Sequence, residues 1–406
     1  MRVALITVAY PPLRYSAAVQ MRDLAQEFLA QGHEPVVLTP DPTLPSSWEL
    51  EIVDGIQVLR LRALRTRDVD YVRRTIGEFV LPWAMLHGFR ASPLAGTQWD
   101  AIVWYSPSIF FGPLVRALKR SSPGSRSYLI LRDIFPEAAV DIGVMRRGGA
   151  VFRMFKLIEK QQHTAADVIG IQAPSNRAFL PQLDGRPGVR LEVLWNWLSP
   201  ATTAACRIDV SQTPLAGRTI FVYAGNMGVA QSLDIVLDLA ERLRDRTDIG
   251  FLLVGRGSED HRLRINAAQR KLENVLFHDE INPEEVPGLL AQCHVGLLML
   301  DTRHRTHNIP GKFLAYIQGS IPVLARINEN NDLVGLIESE GVGRVVKGES
   351  VEAFQEAVAA MAADPVGRGS MANRGGLLSE KLFSSKSAVR QIVHSLTDAW
   401  DKPHAG

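Results

Sequence analysis

Arg303, His304, Arg305, His307 and Lys312 crowd around a single turn, Asn308-Ile309-Pro310-Gly311, within the stretch DTRHRTHNIPGKFLAYIQGSIPVLA at 301–325. Pro310 and Gly311 are expected to open a helix, with Asn308 as its cap and the proline suited to the first turn. A helix start presents free amide groups and the positive end of the helix dipole, so it favours negative charge. Natural sequences usually place Asp or Glu there, and this one places Lys312. That choice makes chemical sense if an anion from outside the chain, most simply a phosphate, occupies the helix start. The competing reading is a solvated basic loop before an ordinary helix, and these residues leave both open.

Such a turn needs a frame. Residues 2–9 are aliphatic and β-branched with little alternation, as in a strand buried on both faces. After a loop at 10–18, Met21, Leu24, Ala25, Phe28 and Leu29 fall on one helical face that ends at Gly32. A second strand at 34–39 completes a strand–helix–strand unit, the building block of a parallel sheet. Further strands are expected at 57–61, 101–105, 128–131, 166–171 and 191–194, with helices at 111–119 and 151–166. Residues 195–217, rich in Thr, Ala, Ser and Pro without a period, read as a linker. The opening pattern then recurs as an apolar strand at 219–224, the turn Gly225-Asn226-Met227-Gly228, and a helix face of Leu233, Val236, Leu237 and Ala240. A strand at 251–254 leads into Gly255-Arg256-Gly257, and later strands fit 275–278, 295–300, 322–325 and 343–346.

The expected fold class is α/β, with two doubly wound, Rossmann-like domains at 1–197 and 198–380 facing across a cleft. A polar stretch at 367–376 precedes a last helix in 381–406, which either caps the second domain or crosses back to the first. In such sheets ligands bind beyond the carboxyl ends of the strands. Tyr10, Ser106, Asp133, Gly225, Arg256 and Asp301 all fall at such ends.

Bulk properties narrow the classes. At 406 residues the chain exceeds the roughly 250–300 at which one core stops growing. With 46% apolar and 22% charged residues it is a folded globular chain rather than a disordered one. A net charge of +2 gives no reason to expect a nucleic-acid partner. Cys206 and Cys293 form neither a disulfide framework nor a zinc spacing, which suits a reducing, cytoplasmic setting. No metal is expected of His304 and His307, and His163 and His294 read as structural. The apolar start could pass for a signal peptide, but it is short and meets Pro11-Pro12 without a cleavage-like end. The apolar run at 79–89 falls short of the ~20 residues a spanning helix needs. Residues 66–90 interleave Arg67, Arg73, Arg74 and Arg90 with Val72, Ile76, Phe79, Trp83 and Phe89. That is the composition of an interfacial helix at an anionic lipid surface, or of a surface helix pair packed on the sheet.

The order of motifs resembles that of the bacterial glycosyltransferases of family 4, which have the GT-B fold, over nearly the full length. The carrying residues are YPP at 10–12, AAVQMRDLA at 17–25, LRDIFPE at 131–137, GNMGVAQ at 225–231, VGRGSE at 254–259 and THNIPGKFL at 306–314. Within the family the chain is most similar to transferases that add N-acetyl-L-fucosamine or a related deoxyamino sugar in O-antigen and capsule assembly. The resemblance implies a UDP-linked sugar donor held by the second domain and a lipid-linked (undecaprenyl-diphosphate) sugar acceptor held by the first. It also implies retention at the anomeric carbon, no tightly bound cofactor, and a position at the inner face of the cytoplasmic membrane, where the composition of 66–90 makes that segment the candidate for contact.

In this family positive side chains and helix starts stabilise the departing diphosphate. The residues that would do so here are Lys312, Arg256 and the amides of Gly228 and Gly311. Gly225, Asn226, Glu280, Asn308 and Pro310 complete the donor site. Asp133, His307 and Lys312 are the catalytic candidates, and Pro12, Ser16, Ser106 and Glu137 the acceptor candidates. Asp133 has a second reading as the cap of a helix after Pro136, and Glu137 as an ordinary first-turn acid. Gly255-Arg256-Gly257 can also be no more than a tight turn.

The chain departs from the pattern at its hallmark, two glutamates eight positions apart, where it carries His307 and Ala315. Ala315 cannot bind ribose hydroxyls, whereas His307 can hydrogen-bond the sugar or, protonated, a phosphate. The usual Arg and Lys of the glycine turn are Asn226 and Gln231. An inactive, nucleotide-sugar-binding relative and a UDP-sugar 2-epimerase of the same architecture are the alternatives. Activity is favoured because basic residues still cluster at the phosphate position.

Overall fold

The computed structural model describes the chain apart from residues 14–15, 67–68, 107, 142–143, 184, 199–204, 302–308, 349 and 399–406. It forms two compact units, Met1–Ser199 with Ser385–Gly406, and Pro200–Ser384.

The first unit runs β1 (Arg2–Ile6), α1 (Ser16–Ala30), β2 (Glu34–Asp41), β3 (Trp48–Val53), β4 (Ile56–Arg62), α2 (Tyr71–Ala91), β5 (Ala101–Tyr105), α3 (Gly112–Ser121), β6 (Arg126–Leu131), α4 (Glu137–Asp141), α5 (Ala150–His163), β7 (Val168–Ile171) and β8 (Arg190–Val193). Its sheet has the order β3-β4-β2-β1-β5-β6-β7-β8, parallel except for the β3–β4 hairpin. Expected and observed strands agree within a residue or two, save that β1 ends at Ile6 rather than at 9 and that the hairpin strand β3 was not anticipated. Asp54 and Gly55 turn it, both at positive φ (51° and 80°), the geometry that Asp-Gly pairs adopt in two-residue hairpins. Residues 71–91 form one long helix rather than a helix pair. Asp70 caps it by accepting from Val72 N and Arg73 N at 3.1 and 3.0 Å. Leu81, Met85 and Phe89 bury its inner face.

The second unit runs β9 (Thr219–Ala224), α6 (Asp234–Arg242), β10 (Ile249–Val254), α7 (Asp260–Gln269), β11 (Val275–His278), α8 (Val286–Leu290), β12 (Val295–Met299), α9 (Gly311–Gln318), β13 (Val323–Arg326), α10 (Asp332–Glu340), β14 (Gly343–Val345), α11 (Val351–Ala363) and α12 (Pro365–Leu382). Its sheet is wholly parallel, in the order β11-β10-β9-β12-β13-β14. Strand order reverses at β9/β12 here and at β1/β5 in the first unit, the switch points at which open α/β sheets bind ligands.

The polar stretch at 367–376 is no break, because it lies inside α12. Asp364 caps that helix through Gly367 N at 2.8 Å. Gly375 lies on Ile317 of α9, where an added Cβ would make ordinary contact at 3.5 Å. α13 (Ser385–Thr397) belongs to the first unit. Its apolar face of Ala388, Val389, Ile392 and Leu396 is buried in the same core as Met21 and Phe28 of α1. Burying the three larger side chains contributes about 1.5–3 kcal/mol each. Gln391 Nε2 donates to Val193 O at 2.8 Å, and Ser395 Oγ to Glu192 at 2.7 Å, which fixes the helix on the β8 edge. No helix among the described residues is long and apolar enough to cross a membrane.

Candidate functional site

In the second unit the site grows out of the β9 and β10 loops. Gly225 N donates to Val254 O at 2.8 Å, and Met227 N to Arg256 O at 2.8 Å, so the two glycine turns are laced together by backbone. Only glycine allows this. Gly255 sits at φ +150°, and a Cβ there would fall within the Gly225 carbonyl; one on Gly257 would strike the Met227 carbonyl. Gly225, at φ +133°, leaves room for Lys312, whose Cε would lie 2.9 Å from a Cβ at that position.

α9 brings Lys312 there. Tyr316, buried in the core, donates to Leu297 O at 3.1 Å and accepts from Ala224 N at 3.3 Å, which pins the helix across the switch point. Phe313 packs edge-on against Phe383 at 5.8 Å. The helix begins at Gly311 with Pro310 in the cap position. Pro310 has the extended ψ of a cap (137°) and so stands just before the first turn instead of within it, displacing the cap expected at Asn308. Asn308 and His307 lie outside the described residues.

Lys312 Nζ sits 4.9 Å from the centre of the Tyr223 ring, a cation–π contact. Burial pushes the lysine pKa below its usual value, and no carboxylate pairs with it among the described residues. A desolvated cation beside a helix start and two glycine turns is suited to a doubly charged phosphate group. Tyr223 was read from the sequence only as strand; an aromatic ending a strand just before a glycine turn was the available signal.

Two other donor candidates are already engaged. Gly228 N donates to Gln231 Oε1 at 2.9 Å, and Asn226 Nδ2 reaches the same oxygen at 3.2 Å. Gln231 thus closes the turn from within, and a phosphate would have to replace it to use the Gly228 amide. Arg256 and Glu280 form an ion pair at 2.9 Å with both side chains largely exposed. Such a pair holds its geometry weakly, by about 0–1 kcal/mol, so either group can turn to a ligand.

In the first unit, the acceptor candidates divide. Pro12 and Ser16 are exposed, Ser16 as the first residue of α1. Ser106 and Glu137 are buried, and Ser106 Oγ and Glu137 Oε2 have no hydrogen-bond partner among the described residues. Tyr10 OH and Asn196 Oδ1, neither singled out from the sequence, are unpartnered too. Buried polar atoms are normally satisfied, so several at the carboxyl ends of one sheet invite a ligand. Glu137 Oε1 accepts from Lys156 Nζ at 3.0 Å, and Lys156 also grips Glu159. Burial pushes Glu159 up to about 7, with Lys156 opposing and Glu137 adding to the rise.

Asp133 follows β6 and reaches the surface, yet the protein around it raises its pKa while Arg132 pulls the other way. Among the described residues it receives no hydrogen bond from an amide of α4, which leaves the capping role without support. Arg132 itself is buried, donating to Leu194 O at 2.6 Å with its guanidinium 5.1 Å from the Trp197 ring. His163 is a core histidine that burial holds down at about 4, and His294 accepts from Ile220 N at 3.0 Å.

Residues 218–364 match the family model described as glycosyl transferases group 1. The Escherichia coli K12 protein WcaI, named for glycosyl transfer in colanic acid biosynthesis, is 26% identical over 386 residues, covering 87% of this chain and 90% of that one. Among solved structures, WaaG, a glycosyltransferase involved in lipopolysaccharide biosynthesis, has a TM-score of 0.60 at 15% identity, covering 98% of this chain and 100% of that one. HepE of Anabaena in complex with UDP has a TM-score of 0.64 at 13% identity, with 98% of this chain and 100% of that one covered. At those identities the two structures speak for the GT-B fold alone, and the family match carries the chemistry of the second unit. The second unit thus carries a domain of the glycosyl transferases group 1 type at 218–364, and the chain is a glycosyltransferase enzyme with the GT-B fold.

Proposed function

We propose that the protein is a retaining transferase that moves a deoxyamino sugar, such as N-acetyl-L-fucosamine, from a UDP-linked donor to an undecaprenyl-diphosphate-linked sugar in surface polysaccharide biosynthesis. The observation that carries the reading is Lys312, a half-buried cation without a counter-ion among the described residues, set over Tyr223 where two glycine turns and the start of α9 meet. A diphosphate seated there is held by Lys312, by the first amides of α9 and by Arg256 once it turns from Glu280. These groups stabilise the negative charge that grows on the diphosphate as the sugar departs. On the first unit, Ser106 and Glu137 offer the unpartnered oxygens that an acceptor hydroxyl needs, and Asp133 is our candidate for the carboxylate that meets the reacting sugar. WcaI and WaaG, both named for polysaccharide or lipopolysaccharide biosynthesis, support the pathway class, and UDP bound to HepE supports the donor class. An acceptor on a lipid carrier requires work at a bilayer, for which the exposed face of α2 is suited.

The test is incubation with a panel of UDP-sugars and lipid-linked N-acetylglucosamine, followed by mass spectrometry of the lipid. An increase by one deoxyamino sugar is expected. Tight UDP binding without product across a broad panel contradicts transferase activity. Interconversion of UDP-N-acetylglucosamine without acceptor would assign an epimerase instead.

A further inference from the structure

In the first unit a cavity of about 420 Å³ opens between the carboxyl half of α5 and the chain at 182–186. That volume is within the ~300–1,000 Å³ that small-molecule pockets occupy. Its inner wall is buried, with His163, Leu183 and Glu159 at 1%, 2% and 3% exposed. Lys160, Arg186 and Leu157 stand at its exposed mouth, and half-buried Lys156 completes the lining. The one carboxylate among these described residues, Glu159, is already held by Lys156. None of the donor or acceptor candidates lines this cavity.

Two observations distinguish it from an ordinary surface cleft. His163 Nε2 is buried and has no hydrogen-bond partner among the described residues, although buried polar atoms are normally satisfied. Burial holds the ring neutral, with Lys156 adding to the effect, so it offers an uncharged nitrogen that can meet a hydroxyl or a phosphate oxygen. Lys160 and Arg186 line the same space, and neither takes part in an ion pair among the described residues. Taken singly they are ordinary: Lys160 lies in the last turn of α5, where it complements the dipole, and Arg186 is a loop cation. Neither role calls for bringing both to one cavity beside Lys156, where like charges repel. A group with two negative charges neutralises that surplus, and Leu157 and Leu183 give its carbon skeleton an apolar bed.

We propose that this cavity is an effector site for a small phosphomonoester, separate from the donor and acceptor sites and coupled to the acceptor side through Lys156. The phosphate dianion pairs with Lys160 and Arg186, and His163 Nε2 meets an oxygen of the bound molecule. Lys156 is the link, because it lines the cavity and also donates to Glu137 Oε1 at 3.0 Å. An anion in the cavity draws Lys156 toward itself and loosens its hold on Glu137. By reciprocity, whatever frees Lys156 from Glu137 strengthens binding in the cavity. Lys312 and the glycine turns lie in the other unit and take no part. The meaning of the coupling for the acceptor rests on the proposed function; the site itself does not.

The test is calorimetric titration of glycerol 3-phosphate into the full chain at low ionic strength, with and without saturating UDP. The variants are Lys160→Gln with Arg186→Gln, both at exposed positions, and separately Glu137→Gln, with UDP affinity measured in each as a check of folding. The unaltered chain should bind glycerol 3-phosphate saturably, and UDP should not displace it. The double variant should lose about tenfold or more of that affinity, whereas Glu137→Gln should bind about fivefold tighter or more. Inorganic phosphate, which lacks the carbon skeleton, should bind about tenfold more weakly. Absence of saturable binding, displacement by UDP, or full binding by the double variant would each overturn the site. Inorganic phosphate binding as tightly would overturn the phosphomonoester assignment, and an affinity unchanged in Glu137→Gln would overturn the coupling. Saturable binding by a chain that transfers no sugar would uphold the site while the transferase reading fails.

Discussion

The carboxyl ends of the two sheets present opposite kinds of surface. In the second unit the turns after β9 and β10 are satisfied within themselves, through the Gly225–Val254, Met227–Arg256 and Gly228–Gln231 hydrogen bonds, and Lys312 stands in their midst as a charge with no counter-ion among the described residues. In the first unit what stands out is buried side-chain oxygen without a partner among the described residues, at Tyr10, Ser106 and Glu137. A rigid backbone cradle with one half-buried cation suits a ligand whose recognised part never varies, such as a diphosphate. Unsatisfied side-chain oxygens suit a polyhydroxyl partner whose identity changes from one enzyme to the next.

The cradle should break hardest. Gly255→Val forces a side chain into the Gly225 carbonyl at a backbone angle that only glycine tolerates. It should cost about 3 kcal/mol or more of stability by denaturant unfolding and abolish measurable UDP binding. Gly335→Ala, where an added Cβ meets open space in α10, should be neutral or stabilising by up to ~1 kcal/mol. Equal effects at the two positions would mean that the laced turns are not special.

On the acceptor side, Glu137→Gln keeps the shape and removes the charge. Acceptor kcat/KM should fall roughly tenfold to a hundredfold, the worth of a charged hydrogen bond, with UDP affinity unchanged. Behind it, Glu159 has a folded-state value of about 7 against an ordinary 4.5, so the folded protein holds this proton more tightly than the unfolded chain does. The resulting stability is complete below pH 4.5 and drains away as pH rises to about 7. The loss should be on the order of 1–3 kcal/mol, and Glu159→Gln should flatten it in chemical denaturation run at several pH values.

The smallest expected effect comes from Gln231→Lys, which frees the Gly228 amide and returns a cation to the glycine turn. UDP should bind tighter by about 1 kcal/mol. Weaker binding would show that the neutral turn has been rebuilt around Gln231.

The pattern of both sheets was legible because buried parallel strands are long apolar runs between loops. β3 escaped because Trp48–Val53 is half exposed and alternates with acids, although Asp54-Gly55 announced its hairpin. α12 escaped because 367–376, with four glycines, reads only as a polar stretch, whereas Asp364, Pro365 and the contact with α9 hold the helix. Lys312 was legible as an odd cation at a helix start. Its seat on Tyr223 was not, since a strand aromatic looks like core until the neighbouring loop is placed. The unpartnered oxygens of Tyr10 and Ser106 are likewise invisible in a sequence, because satisfaction is a property of neighbours and not of residue type.

The central claim is that Lys312 holds the diphosphate, and calorimetric titration of UDP into the unaltered chain and Lys312→Ala tests it most directly. The expected loss is about 1–3 kcal/mol of binding free energy, with the unaltered chain taking up protons on binding at alkaline pH because the diphosphate raises a lysine pKa that burial had lowered. An affinity left unchanged by the substitution would contradict the account.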